Sequence, residues 1–136
     1  LFLHAYKTVN ERVDKDLRTA SPLSGTEFEV LWRINRAGGR IQFITLAREV
    51  KLSQSRVSRQ VDNLQKKGYV RREITNQNRR ATFAVMTELG QAVYLTAEQP
   101  FQRAWREHFL DRISTDDLEV FRRSLVFLIG DAPLMP

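Results

Sequence analysis

Apolar residues at Phe2, Tyr6, Val9, Val13 and Leu17 recur every three to four positions, which predicts a helix over residues 2–17. Ala20–Gly25, with Pro22, interrupts it, and Ser24 followed by Glu27 reads as a capping box that opens a second helix. Phe28, Leu31, Trp32 and Ala37 would face inward on that helix, and Gly38-Gly39 would end it. A short third helix is expected over Ile44–Val50, with Leu46, Ala47 and Val50 inside. Lys51-Leu52 makes a tight turn, and Ser53 caps a fourth helix running from Gln54 to Lys67 and stopping at Gly68. Val57, Val61 and Leu64 form its narrow apolar stripe. The period then falls to two: Tyr69–Thr75 and Ala81–Met86 read as strands of a hairpin whose connection, Asn76–Arg80, is polar and basic. A long helix follows from Thr87 to about Leu110, which Pro100 is expected to kink or divide. Ser114 and Asp117 mark the start of a last helix with Leu118, Phe121, Leu125 and Leu128 on one side.

The 136 residues suffice for one core, and 42% apolar with 28% charged residues is a globular balance. The longest apolar runs, such as Leu125–Ile129, are far too short to cross a bilayer, so no membrane association is expected. No basic stretch followed by an apolar core stands at the start, so a secretory leader is not expected either. Cysteine is absent, which excludes disulfides, thiolate metal sites and thiol redox switching within the chain and fits a cytoplasmic protein. With only two histidines besides, no metal site and no cofactor are expected.

Charge changes the picture more by its placement than by its sum of +6. Arg40 to Arg80 holds eleven Lys/Arg against three acids, a local +8, while the rest of the chain carries −2. A basic excess confined to one third of a chain marks a polyanion binder. The fourth helix lies inside it. With Val57, Val61 and Leu64 turned inward, a 100° step places Ser55, Arg59, Asp62 and Lys66 on the opposite side, flanked by Arg56, Ser58 and Asn63. A helix fits the major groove, and Gln54, Ser55, Arg56, Ser58 and Arg59 are residue types that read base edges or hold phosphates there. Arg79 and Arg80 at a hairpin tip suit the negative potential of the minor groove. Two short helices joined by a tight turn and followed by a basic hairpin make a winged helix-turn-helix, here residues 41–86, in a mainly α (α+β) protein.

The chain resembles the MarR family of regulators along nearly its whole length. The resemblance is carried by Leu46-Ala47, Ser53, Val57-Ser58-Arg59, Leu64, Lys67-Gly68-Tyr69-Val70, Arg71 or Arg72, the wing Asn78-Arg79-Arg80, and the exit Met86-Thr87-Glu88-Leu89-Gly90. Relatives place an aspartate at the wing position that Asn78 holds here; asparagine can still organise the turn but lacks the charge to hold an arginine. The resemblance implies Gln54–Arg59 in the major groove and Arg80 in the minor groove, with Arg79 nearby. It implies a homodimer of single-domain protomers, 1–136, with a two-stranded wing flanked by dimerisation helices over residues 1–20 and 87–130. The aromatic load of the outer helices (Phe2, Tyr6, Tyr94, Phe101, Trp105, Phe109, Phe121, Phe127) is more than a small lobe needs for its own core. It implies, finally, a repressor on a pseudo-palindromic operator, released by a small anionic or phenolic effector, for which His4, Phe28, Trp32 and Arg33 are candidates. Phe28 and Trp32 also stand at core spacing.

Catalysis fares poorly. There is no Gly-rich phosphate loop, no nucleophile with a recognisable base and no evident paired carboxylates; Asp116-Asp117 stands at a helix start, where acids favour the dipole. The competing class is a winged-helix module that binds protein or RNA without operator recognition, and duplex binding separates the two.

Overall fold

A computed structural model describes residues 1–77 and 80–130. The element order is α1 (Phe2–Ala20), α2 (Gly25–Arg36), β1 (Arg40–Gln42), α3 (Phe43–Val50), α4 (Gln54–Lys66), β2 (Val70–Thr75), β3 (Ala81–Met86), α5 (Glu88–His108), a 3₁₀ turn at Leu110–Arg112 and α6 (Thr115–Ile129). The three strands form an antiparallel sheet in the order β1-β3-β2, with Ile41 opposite Ala84 and Glu73 opposite Phe83. The expected two-stranded wing thus gains a third strand, β1, too short for its alternation to be read.

The helix boundaries follow from local chemistry. Ser24 Oγ accepts from the Glu27 N–H at 3.1 Å, and Glu27 Oε2 accepts from the Ser24 N–H at 3.2 Å, completing the capping box. Asp14 on α1 adds a third acceptor, taking the Gly25 N–H at 2.7 Å and Arg18 Nε at 2.7 Å. Partial burial would push the Asp14 carboxyl up, but the Gly25 N–H and Arg18 outweigh it and hold the group below its ordinary range. A depressed folded value means the contribution is full above about pH 4 and is lost as pH falls through that value. Asp14→Ala should therefore cost about 1 kcal/mol at neutral pH, the worth of a cap. The gap to wild type in denaturant melts should close on acidification below pH 4; a gap that does not change with pH contradicts this account.

The core gathers Leu17 and Leu23 with Phe28, Leu31 and Ile34 of α2, Leu46 of α3, Val57, Val61 and Leu64 of α4, Val70 and Ala84 of the sheet, and Tyr94 and Ala97 of α5. Ala37 was expected inside but lies exposed, because it is already the C-cap of α2. Pro100 does not divide α5, which runs unbroken through it. The carbonyl it leaves without a donor, four residues back, is that of exposed Thr96, where water can serve it. Of the row expected on one side of α6, Leu118, Phe121 and Leu125 are half-buried and Leu128 is exposed; no α6 side chain is fully buried. A run of ring contacts joins the lobe to that helix: Tyr94 to Phe28 (5.4 Å), Phe28 to Phe101 (4.2 Å), then Trp105, Phe109 and Phe121 in turn. No helix among the described residues is long and apolar enough to cross a membrane.

Candidate nucleic-acid interface

The turn between α3 and α4 is closed by Lys51, whose left-handed conformation (φ 56°, ψ 38°) lets its own N–H and that of Leu52 both return to Ala47 O. Ser53 then caps α4, its Oγ accepting from the Arg56 N–H at 3.3 Å and lying 3.0 Å from Ser55 Oγ. Val57, Val61 and Leu64 are completely buried, which fixes the rotation of the helix. Gln54, Ser55, Arg56 and Arg59 are consequently exposed on its outer side.

Ser58 and Asp62 behave differently from the rest of that side. Both are half-buried and turned toward the wing. Arg72 on β2 donates through Nη2 to Ser58 O and Ser58 Oγ, both at 3.0 Å, and to Asp62 Oδ1. Its guanidinium also lies 5.1 Å from the Phe43 ring centre. Asp62, expected on the outward face, is thus a strut between helix and wing. Ser58 keeps its hydroxyl proton to donate, while its oxygen serves Arg72. The strand period held a signal for this: Arg72 shares a face with buried Val70, and a charge placed there needs a partner.

The wing is braced on its other side as well. Arg40 on β1 passes 3.5 Å from the centre of the Phe83 ring on the middle strand and donates to Glu73 Oε1 on β2 at 2.8 and 3.0 Å. Arg71 donates to Glu73 Oε2 at 3.2 Å. Hydrogen bonds from Arg40 first, then Arg71, hold the Glu73 carboxyl below its ordinary range. Arg80 is exposed at the foot of β3; Asn78 and Arg79 lie outside the described residues. Arg48, Lys51, Arg56, Arg59, Lys66 and Arg80 are all exposed, so the basic excess of this segment reaches solvent.

The effector candidates divide. Phe28 is buried, stacked between Tyr94 and Phe101. Trp32 is half-buried with Arg33 and Arg36 over its ring at 4.7 and 5.4 Å, and Arg33 sits 3.8 Å from both Glu29 and Glu49. His4 lies on the exposed first turns of α1, its carbonyl accepting from Thr8 Oγ1. An almost wholly apolar hollow of about 410 Å³, lined by Tyr6, Val9, Trp105, Phe109, Phe121 and Leu125 among others, involves none of the four.

The MarR family model matches residues 23–82, the stretch that contains the helix pair and the wing. The crystal structure of AbsC, a MarR family transcriptional regulator from Streptomyces coelicolor, is 27% identical and superposes with a TM-score of 0.86, covering 94% of this chain and 86% of that one. The winged-helix stretch thus matches the MarR family model, and the whole chain shares the fold of a MarR family regulator. Two further structures share its fold. Sco3205, a MarR family regulator from Streptomyces coelicolor in complex with DNA, has a TM-score of 0.87 at 23% identity, over 97% of this chain and 84% of that one. The organohalide-sensing regulator RdhR in its 2,4-dichlorophenol-bound form has a TM-score of 0.82 at 17% identity, over 93% and 74%. No curated protein sequence matches. The fold is that of these MarR family transcriptional regulators, with the winged helix laid over the chain's basic third.

Proposed function

We propose that the protein is a homodimeric, sequence-specific double-stranded-DNA-binding repressor. The observation that carries this reading is the outer side of α4. Gln54, Ser55, Arg56 and Arg59 stand exposed on a helix whose rotation is fixed by three fully buried side chains, next to a braced basic wing. In this reading Gln54–Arg59 enter the major groove, with Arg59 and Arg56 toward guanine edges and Ser58 donating to a phosphate or base. Arg80, with Asn78 and Arg79, meets the adjacent minor groove. Residues 1–20 and 87–130 form the dimer frame in this reading, and the fold shared with a DNA-bound relative supports duplex binding.

We further infer that a small phenolic or anionic compound tunes binding near α2, by analogy with the dichlorophenol-bound relative. Trp32 and Arg33, paired at 4.7 Å, suit such a compound better than buried Phe28, and His4 contributes less.

The test is affinity for promoter-derived and random duplexes as a function of salt. Arg59→Ala should lose about 1–3 kcal/mol on the preferred site and little on random DNA. Arg80→Ala should weaken both alike and reduce the salt slope by about 0.9. Equal losses on both duplexes for both variants would defeat this division of labour, and absence of duplex binding at low salt would sink the regulator reading itself.

A further inference from the structure

The fold brings together three metal-ligating side chains that the sequence keeps far apart. Asp16 lies near the end of α1, and Glu107 and His108 lie at the end of α5. One donor atom from each falls within 4.8 Å of the other two. His108 Nε2 stands 2.6 Å from Asp16 Oδ2, and its side chain is only 18% exposed. The other ring nitrogen, Nδ1, is buried without a partner, so the imidazole is engaged solely on the side of the two carboxylates. Among the described residues the Glu107 carboxylate has no hydrogen-bond or ion-pair partner, and Asp16 has no Lys or Arg partner. In a chain with 22 Lys/Arg, two like-charged carboxylates from different helices converge here, and among the described residues no Lys or Arg is paired to either.

We propose that Asp16, Glu107 and His108 form a binding site for a first-row divalent transition-metal ion of the zinc, cobalt or nickel class. A tetrahedral ion with bonds of about 2.0–2.2 Å holds its ligand atoms about 3.3–3.6 Å apart, so small rotations of the two carboxylates close the site. One imidazole with two carboxylates favours these ions over magnesium and calcium, which take oxygen ligands. Two carboxylates also match the charge of a divalent ion, and three protein ligands leave a coordination position for water. The site ties the end of α1 to the end of α5. It is independent of the DNA reading, and it goes against the absence of a metal site expected from the residue count, because spacing along the chain cannot show a pairing across 92 residues.

The experiment is a titration of the tag-free full chain with Co²⁺, followed by visible absorption, with Zn²⁺ competition and thermal unfolding in parallel. One Co²⁺ per protomer should bind, be displaced by Zn²⁺ but not Mg²⁺, and raise the melting temperature. Even outer partners of metal sites are worth about 10- to 100-fold, so Glu107→Gln, Asp16→Asn and His108→Gln should each weaken binding by at least about tenfold. His4→Ala, at the other histidine, should leave it unchanged. No Co²⁺ or Zn²⁺ binding by wild type overturns the proposal, as does undiminished binding by Glu107→Gln. That last variant decides the matter even if His108→Gln fails to fold, since its carboxylate has no partner to lose.

Discussion

Replacing Gly90 with alanine should lower the unfolding free energy by about 3 kcal/mol, the upper end of the cost of inserting a methyl group into a packed site. A Cβ at this position would lie 2.0 Å from Tyr69 O and 2.8 Å from the Tyr69 carbonyl carbon. The clash is with backbone, so no side chain can rotate away to relieve it. The position is crowded because the entry of α5 sits directly on the end of α4. Thr87 Oγ1 accepts from the Gly90 N–H at 3.0 Å, capping α5, while the same hydroxyl donates to Gly68 O at 2.6 Å. The Thr87 N–H goes to Tyr69 O at 3.1 Å, and the Tyr69 N–H returns to Leu64 O at 2.9 Å. Forcing α5 off Tyr69 therefore disturbs the join between α4, which carries the exposed Gln54, Ser55, Arg56 and Arg59, and α5. Urea melts of wild type and Gly90→Ala check this, and a loss below about 0.5 kcal/mol contradicts it. Gly68→Ala is a useful comparison, because its difficulty is conformational (φ 79°) and its nearest neighbour, Leu89 Cδ2 at 3.6 Å, is in ordinary contact.

The Thr87–Gly90 exit could be quoted from the sequence as a motif, but its reason could not. The motif works through two backbone carbonyls, Gly68 O and Tyr69 O, of the turn between α4 and β2. Much else was legible because one periodicity decided it. Val57, Val61 and Leu64 fix the rotation of α4, and with it the exposure of Gln54, Ser55, Arg56 and Arg59, without reference to any other element. Ser24, Ser53 and Ser114 cap their helices through bonds spanning three residues, within reach of sequence reading. What escaped was long-range. Asp62 lies on the polar side of its helix, and only the strand packed beside it turns that position into a partner for Arg72. Arg40 falls between two expected helices, and only the pairing of β1 with β3 sets it over Phe83. Phe28 and Trp32 have the same helical spacing, yet one is stacked in the core and the other half-open beneath two arginines, a difference made by α5.

Phe127→Glu should leave the protomer folded but disperse the dimer and reduce operator affinity by about 10²- to 10⁴-fold, the usual contribution of a second linked binding unit. Within the protomer, Phe127 is 88% exposed, Leu128 78%, Ile129 56% and Val120 53%. Positions 120, 127 and 128 share one helical face with Arg123 and Ser124 between them, so these side chains make an exposed apolar strip on α6 that is densest at Phe127 and Leu128. A side chain that touches so little of its own protomer can be changed with an effect on folding within about 0.5 kcal/mol, so helix content should be unaltered. Burying a glutamate in an apolar contact between two copies is costly in a way that burying phenylalanine is not. Each half of a pseudo-palindrome would then be read by an isolated protomer, without the high local concentration the partner supplies. On a duplex carrying a single half-site the variant and wild type should bind alike, which separates loss of pairing from damage to α4. Sedimentation at micromolar concentration should show monomers for Phe127→Glu and dimers for wild type. A variant that stays dimeric with undiminished operator affinity would remove α6 from the frame and return its exposed strip to some other use.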